Sequence, residues 1–205
     1  SREDGVLDSN DRLLEDVDRN IVEDVTKFLF QPPDAPRGSG FDLVALNIQR
    51  GRDHGLPPYT KFRNFCGLRP LTGFNDVEAL GPFVAELGNV YESVDDIDLF
   101  TGLLHEPATN DTGIVGPTLA CLLVTQFSHL KSGDRFFFDT SKEEFGFTDD
   151  QLANIRETTL ASVMCENLRI PQLPENVFIQ ASNKNNKLVN CRKLKGTLDL
   201  RLFRE

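Results

Sequence analysis

Apolar side chains recur about every three to four residues along most of the chain, a spacing typical of amphipathic α-helices. Together with capping residues, prolines and glycines, the pattern predicts helices over residues 9–30, 42–51, 59–65, 77–91, 93–105, 118–130 and 148–168. The helix over 77–91 is expected to break near Gly81-Pro82. Two short segments, 135–139 and 177–180, have the composition of strands. The sequence therefore predicts a mainly α fold with few short strands and no domain boundary within residues 1–205.

Three of these segments carry further expectations about burial. The stripe in 9–30 faces a core, and acidic residues fill its other faces. Segment 118–130 is apolar on nearly every side, which predicts burial on most of its surface. Segment 148–168 opens with Thr148-Asp149-Asp150-Gln151, the pattern of a capping box. Its periodicity directs four side chains inward: Leu152, Ile155, Thr159 and Val163.

Composition narrows the functional class. The apolar share of 39% and the charged share of 26% are those of a soluble globular chain, of a length that suits one domain or part of a larger one. A formal charge of −10 argues against nucleic acid and anionic membrane surfaces as partners. No stretch reaches the roughly 18 apolar residues that a membrane span needs. The opening residues, SREDG, lack signal-peptide character, so a secreted protein would have its signal removed or further upstream.

The helix that begins near Asp42 carries the main candidate chemistry. Leu43, Leu46, Asn47 and Arg50 lie at positions i, i+3, i+4 and i+7, so they share one face. An amide on an apolar face is costly to bury without a hydrogen bond, and a guanidinium favours a planar carboxylate. A flat apolar ligand with carboxylates at its edge, such as haem, satisfies all four residues. After this face, Arg52 and Asp53 predict an ion pair that fixes the loop at the helix end.

The motifs around this helix resemble the animal haem peroxidase family, which includes myeloperoxidase-, peroxidasin- and peroxinectin-like enzymes. The resemblance is carried by LNIQRGRDHGLP at 46–57, Tyr59, and FCGL at 65–68. It continues, in the family's order, through DIDLF at 96–100, Glu106-Pro107, GPTLAC at 116–121 and GDRF at 133–136. The likeness runs from about Leu29 to near the C-terminus, and it resembles only the C-terminal portion of such an enzyme.

The resemblance implies roles for the candidate face. Asn47 is expected to accept a hydrogen bond from the ring N–H of the histidine that binds the haem iron, and Arg50 to pair with a haem propionate. Leu43 and Leu46 are expected to pack beside the proximal side of the haem. The family's axial histidine, distal catalytic residues and calcium site precede the matched stretch, so they are expected upstream. The chain's own histidines, His54, His105 and His129, are not expected to bind iron.

The cysteines and one sequon bear on the compartment. Four cysteines allow three pairings, and the residues alone leave all three open. The resemblance implies disulfides Cys66–Cys121 and Cys165–Cys191. Asn110-Asp111-Thr112 is a glycosylation sequon in a polar loop. Together these features favour an oxidising, extracellular setting for a secreted glycoprotein.

Two functional hypotheses from different classes follow. The first is part of a secreted haem peroxidase, which uses hydrogen peroxide to oxidise halide, pseudohalide or phenolic donors and acts in the response to oxidative stress. This chain would supply the proximal wall, depend on the upstream portion of the enzyme, and be inactive alone. The second is a non-enzymatic extracellular module for adhesion or partner binding that retains the scaffold. A plain helical bundle, as a third possibility, leaves Asn47 and Arg50 unexplained.

Overall fold

The computed structural model describes residues 19–109, 113–141, 144–179, 185–194 and 198–204. The fold is mainly helical, as predicted. Its helices are α1 Glu23–Thr26, α2 Leu43–Asp53, α3 Tyr59–Phe65, α4 Val77–Leu80, α5 Val84–Leu87, α6 Leu99–His105, α7 Pro117–Gly133, α8 Asp149–Glu157 and α9 Leu160–Asn167. Three 3₁₀ turns cover Val94–Asp96, Cys191–Lys193 and Leu200–Phe203. Strands β1 Gln172–Pro174 and β2 Leu188–Asn190 form one antiparallel pair, with Leu173 opposite Val189.

The described residues form two compact units, which divide between Leu130 and Lys131. In the first unit, α3 and α6 pack against each other around a core of Tyr59, Leu80, Val84, Leu87 and Ile97. Half-buried side chains, among them Phe74, Tyr91 and Leu103, surround this core. In the second unit, α9 packs against the β1–β2 pair and the adjoining 3₁₀ turn. There the buried cluster consists of Cys165, Leu173 and Cys191.

The predicted helix over 9–30 is wrong within the described residues. Only Glu23–Thr26 is helical, and residues 9–18 lie outside the described part of the chain. The backbone leaves the helix because Leu29 pairs with Phe41 in an isolated bridge and Phe30 takes a positive φ of 53°. Gly40 permits this close approach, since a Cβ there would lie 2.5 Å from the Phe28 carbonyl carbon.

The predicted helix over 93–105 divides into a 3₁₀ turn and α6. Ser93 caps the turn with a capping box, and the backbone is extended at Ile97 and Asp98. Ile97 is fully buried, and its carbonyl accepts the Tyr59 N–H at 2.9 Å. A tertiary contact thus takes a backbone group that a continuous helix would use.

The predicted helix over 148–168 also divides, into α8 and α9. The Thr148 capping box is present, but Thr158 and Thr159 are extended. Thr159 then starts α9 with a second capping box, in which its hydroxyl accepts the Ser162 N–H. Because the helix restarts, Val163 is 44% exposed instead of facing inward, whereas Leu152 and Ile155 are half-buried.

The strand predictions are wrong. Residues 135–139 form turns stabilised by the Asp134 side chain and carbonyl, and 177–179 form a turn at Asn176. Gln180, the last residue of the second candidate, lies outside the described residues. The observed strands are three residues each, too short to show an alternating pattern.

Helix α7 has the predicted position but not the predicted burial. Leu123, Val124, Phe127 and Leu130 are 40%, 67%, 61% and 55% exposed. Its interior contacts are concentrated near the first turn, where Thr118 is fully buried. Within the described ranges, no helix has both the length and the apolarity to cross a bilayer.

Candidate functional site

Helix α2 is built by strong local signals at both ends. The Asp42 carboxylate accepts the N–H groups of Val44 and Ala45, at 2.9 and 3.2 Å, and so caps the first turn. The helix ends at His54, after which Gly55 takes a φ of +64°. The Leu56 N–H then bonds to the Gly51 carbonyl. The helix bounds agree with the sequence prediction, so the spacing of the candidate face is preserved.

One side of α2 borders a cavity of about 830 Å³ in the first unit. The opposite walls come from residues 90–103, which include the 3₁₀ turn and the start of α6. The lining contains apolar side chains, notably Ile48, Leu56, Leu99, Phe100 and Leu103. A mostly apolar cleft with a few convergent polar groups is the usual form of a cofactor or ligand site.

The structure brings Asn47 and Arg50 together in this cavity. Asn47 is half-buried and Arg50 is exposed. The described ranges provide no hydrogen bond to the Asn47 amide and no ion pair to the Arg50 guanidinium. Leu46 is half-buried and Leu43 is 38% exposed, and neither contributes to the described lining of this cavity. Asn47 and Arg50, the two polar residues of the predicted face, therefore line one cavity, and neither side chain has a bonding partner among the described residues.

The predicted Arg52–Asp53 ion pair is wrong. Arg52 instead grips Asp98 with two parallel hydrogen bonds, Nε to Oδ1 at 2.9 Å and Nη2 to Oδ2 at 2.6 Å. This pair joins the end of α2 to the start of α6, because Asp98 is the residue that precedes Leu99. The hydrogen bonds from Arg52 hold the pKa of the Asp98 carboxyl below its usual range.

Tyr91 completes this group in the cavity wall. Its hydroxyl donates to Asp98 Oδ2 at 2.8 Å and lies 3.1 Å from the Thr101 hydroxyl. Burial raises the pKa of the Tyr91 phenol above its usual value. Arg52, Tyr91 and Asp98 all line the cavity that Asn47 and Arg50 share. No sequence motif pointed to Tyr91, and only the DIDLF motif that contains Asp98 pointed to this region.

The histidines have local partners or positions away from the cavity. His54 lines the cavity, and its Nδ1 lies 2.9 Å from the Arg50 carbonyl oxygen. His105 makes the same contact, at 2.9 Å, with the Thr101 carbonyl. His129 is exposed near the end of α7. In the part of the chain that the structure describes, no three His, Cys, Asp or Glu residues converge as a metal site would require.

The first unit also contains a buried polar network centred on Glu106. Its carboxylate accepts hydrogen bonds from Tyr59 Oη at 2.8 Å and from Arg63 Nη1 at 2.5 Å. Thr118 donates both its N–H, at 2.7 Å, and its hydroxyl, at 2.8 Å. Arg63 also donates to the Arg69 carbonyl. The network joins α3, the end of α6 and the start of α7. Burial is the largest cause of the raised pKa of the Tyr59 phenol.

Two glycines make room for this network. A Cβ on Gly102 would lie 2.3 Å from the Tyr59 ring, and a Cβ on Gly116 would lie 2.6 Å from the Glu106 side chain. Both distances are well below van der Waals contact, so neither position accommodates alanine without movement. The network was not predicted from the sequence, although Tyr59, Glu106-Pro107 and GPTLAC were among the motifs of the resemblance.

The cysteines form two disulfides, Cys66–Cys121 and Cys165–Cys191. These are the pairings that the resemblance implies. The first joins the residue after α3 to α7 within the first unit, and the second crosses the buried cluster of the second unit. Asn110, the glycosylation candidate, lies outside the described residues.

Comparison with known proteins settles the family. The sequence model of the animal haem peroxidases matches residues 9–178, which is most of the chain. The chain belongs to the animal haem peroxidase family. The family resemblance and the mainly helical fold inferred from the sequence are therefore confirmed.

Individual relatives agree with this family assignment. A peroxidase-like protein of Margaritifera margaritifera is 44% identical over 194 residues, which cover 87% of this chain and 24% of that protein. The chorion peroxidase of Aedes aegypti is 36% identical over 200 residues, covering 96% of this chain and 24% of its own length. Peroxidase A from Dictyostelium discoideum has a similar structure, with a TM-score of 0.57 and 35% identity over 74% of this chain and 28% of its own. This animal haem peroxidase chain spans about a quarter of the length of these three relatives.

The cavity residues fit the family's cofactor. Haem has an apolar face and two carboxylates at its edge. The cavity offers apolar side chains and an Arg50 guanidinium without an anion among the described residues, beside the carboxylates of Glu92, Asp95 and Asp96. The Asn47 amide adds a neutral acceptor on the same helix face. These two side chains are therefore chemically compatible with haem.

Proposed function

We propose that this chain is part of a secreted haem peroxidase that uses hydrogen peroxide to oxidise small donors, and that α2 forms the proximal wall of its haem pocket. The observation that carries the proposal is that Asn47 and Arg50 line one cavity, with no partner for either side chain in the described residues. When bound, haem supplies the iron that peroxide oxidises and that then withdraws electrons from the donor.

Arg50 anchors the cofactor in this proposal. Its planar guanidinium pairs with a propionate through charge-assisted, bidentate hydrogen bonds, which fix the orientation of the ring as well as its position. Arg52, two residues further along the same helix, is already bonded to Asp98. Of these two neighbouring cations, Arg50 is therefore the one available to an added carboxylate.

Asn47 orients the axial ligand. Its carbonyl oxygen accepts the ring N–H of the axial histidine, which fixes the tautomer and the plane of that ring. A neutral acceptor leaves the imidazole less anionic than a carboxylate would, so the iron keeps a higher reduction potential. Leu43 and Leu46 pack beside the proximal side in this proposal, although neither lines the described cavity.

Other parts of the site come from outside this chain in the proposal. The axial histidine, the distal catalytic residues and the calcium site belong to an upstream portion of the same enzyme, consistent with relatives about four times as long. The family match at 9–178 includes residues of both units, which supports treating 1–205 as part of one peroxidase domain. The donors are halide, pseudohalide or phenolic compounds, and the two disulfides support an extracellular location.

The proposal is tested by haem binding in the complete protein. We expect Arg50→Gln to weaken haem retention, measured as faster transfer of haem to an apo-myoglobin acceptor. Gln49→Ala is the matched control, because Gln49 is exposed on the same helix and outside the described cavity lining. A complete protein without a Soret band would contradict the proposal and favour the non-enzymatic adhesion or interaction module. Equal haem transfer from Arg50→Gln and Gln49→Ala would contradict the role of Arg50.

A further inference from the structure

The chain contains two tyrosines, and each belongs to a group of one phenol, one carboxylate and one guanidinium. In the first group, Tyr59 donates to Glu106, which is paired with Arg63. In the second, Tyr91 donates to Asp98, which is paired with Arg52. In both groups the phenol donates to a carboxylate that is also paired with the guanidinium, so we compare their surroundings to decide what each can do.

The Tyr59 group is enclosed in the core. Tyr59 is fully buried, Arg63 and Glu106 are each 6% exposed, and none of the three lines the described cavity. The Glu106 carboxylate also accepts two hydrogen bonds from Thr118, one from its backbone N–H and one from its hydroxyl. This group holds α3, the end of α6 and the start of α7 together, and that structural role explains why these side chains are buried there.

The Tyr91 group lies in the wall of the cavity that Asn47 and Arg50 also line. Tyr91 is half-buried, packs against the first unit's core on one side, and lines the cavity of Asn47 and Arg50 on the other. Asp98, which accepts the hydrogen bond from the Tyr91 hydroxyl, is held in place by two hydrogen bonds from Arg52. Unlike the Tyr59 group, the Tyr91 group therefore borders the space in which haem is proposed to bind.

We propose that Tyr91 is a one-electron oxidation site, with Asp98 as its proton acceptor, which carries oxidising capacity from the haem pocket to phenolic donors at the cavity edge. This inference rests on the proposed peroxidase function. It adds a second place for donor oxidation, available to phenols too large to enter the pocket.

The proposed peroxidase function supplies the oxidant for this step, and the described residues supply the proton acceptor. Tyr91 gives one electron to the haem that peroxide has oxidised, its O–H bond breaks, and the proton moves 2.8 Å along the existing hydrogen bond to Asp98 Oδ2. The products are a neutral tyrosyl radical and a protonated Asp98. A phenolic donor then gives one electron to the radical, and the proton on Asp98 returns to restore the Tyr91 hydroxyl. The donor leaves as a neutral phenoxyl radical, and its own proton passes to solvent.

Spin trapping with peptide mass spectrometry tests the inference in the complete, haem-loaded protein. The protein receives one equivalent of hydrogen peroxide and a nitroso spin trap, without donor, and is digested. We expect a trap adduct on the peptide that contains Tyr91 and none on the peptide that contains Tyr59. Tyr91→Phe retains the ring and should lose that adduct, together with the matching tyrosyl signal in electron paramagnetic resonance.

Two variants, each with one cavity aspartate replaced by asparagine, test whether Asp98 is the proton acceptor. Asp98→Asn keeps a hydrogen-bond acceptor but cannot take the proton as a carboxylate does, so we expect less adduct on Tyr91. Asp95→Asn is the control, because Asp95 also lines the cavity but its side chain makes no described bond to Tyr91. An undiminished adduct in Asp98→Asn would overturn the role of Asp98.

The outcomes separate this inference from the proposed function. Haem that reacts with peroxide while Tyr91 gains no adduct overturns the inference and leaves the peroxidase proposal standing. An adduct on Tyr59 instead of Tyr91 also overturns it. A complete protein that binds no haem overturns both.

Discussion

Glu106 is a buried carboxylate whose charge is balanced by Arg63 and by three further hydrogen bonds. We expect Glu106→Gln to lower the free energy of unfolding by about 3–5 kcal/mol, because it leaves the Arg63 cation buried without its counter-charge. Urea unfolding monitored by circular dichroism measures the loss. Glu78→Gln, which removes an exposed partner of Arg69, is the control and should cost little. Equal losses would show that the buried pair is not a major source of stability.

Asp76 makes part of the stability depend on pH. The hydrogen bonds from Arg69, and those from the Thr72 and Ala79 N–H groups, hold the pKa of Asp76 well below its usual range. A depressed native pKa stabilises the fold above the unfolded value of about 3.9, and this contribution disappears as pH falls through the native pKa. We therefore expect Asp76→Asn to be less stable than the parent protein at neutral pH, with a gap that narrows below about pH 4.

Urea unfolding at several pH values measures that gap. Asp150→Asn, at an exposed position in the first turn of α8, is the control and should lose less stability at neutral pH. A gap between Asp76→Asn and the parent that stays constant down to low pH would contradict the role given to the Asp76 carboxylate.

For single residues, the sequence predicted which side chains share a face of one helix, but it did not predict the contacts between helices. Asn47 and Arg50 share a face because a helix has a fixed period, and α2 preserves that period. Tyr59 and Glu106 are 47 positions apart, and Arg52 and Asp98 are 46 apart. No local pattern relates such positions. Arg52 was therefore paired with its neighbour Asp53 in the prediction, while the fold pairs it with Asp98.

At the scale of elements, α3 and α6 approach so closely that one glycine is required. Alanine is favoured over glycine in a helix by about 1 kcal/mol, so helix propensity alone predicts that Gly102→Ala stabilises α6. The Tyr59 ring stands where the new methyl group would go. Overpacking of this kind costs about 1–3 kcal/mol, and we expect a net loss of stability.

Thermal unfolding measures the effect of Gly102→Ala. Gly133→Ala is the matched control, because Gly133 also lies in a helix and a Cβ there would meet no described atom within 4 Å. We expect this control to be neutral or slightly stabilising. A stabilised Gly102→Ala protein would mean that α3 and α6 do not pack as closely as the structure shows.

Helix positions were predictable where local signals and tertiary contacts agree. Helix α3 has the predicted bounds, and the break at Gly81-Pro82 separates α4 from α5. The predicted single helices over 93–105 and 148–168 are each divided. In the first, the Ile97 carbonyl bonds to Tyr59; in the second, Thr159 caps a new helix. Apolar periodicity continues across such breaks, so it cannot reveal them.

At the scale of the whole molecule, family membership was the most predictable property. A long run of motifs in a fixed order identified the animal haem peroxidases, and the family match confirms it. The burial of α7 was not predictable, because an apolar sequence does not reveal which other segment packs against it. Val124 and Phe127 are more than 60% exposed, in a chain that covers 24% of the length of the Margaritifera and Aedes relatives. The assignment of the α2 face to haem stays a proposal.

The reduction potential of the haem iron in the complete protein tests this assignment most directly. Asn47→Asp places a carboxylate where the proposal has a neutral acceptor for the axial histidine. Asn64→Asp makes the same change at an exposed position of α3 and serves as the control. We predict a lower iron potential and weaker halide oxidation in Asn47→Asp, with neither change in Asn64→Asp. An Asn47→Asp protein with an unchanged potential and unchanged halide oxidation would contradict the placement of α2 against the haem.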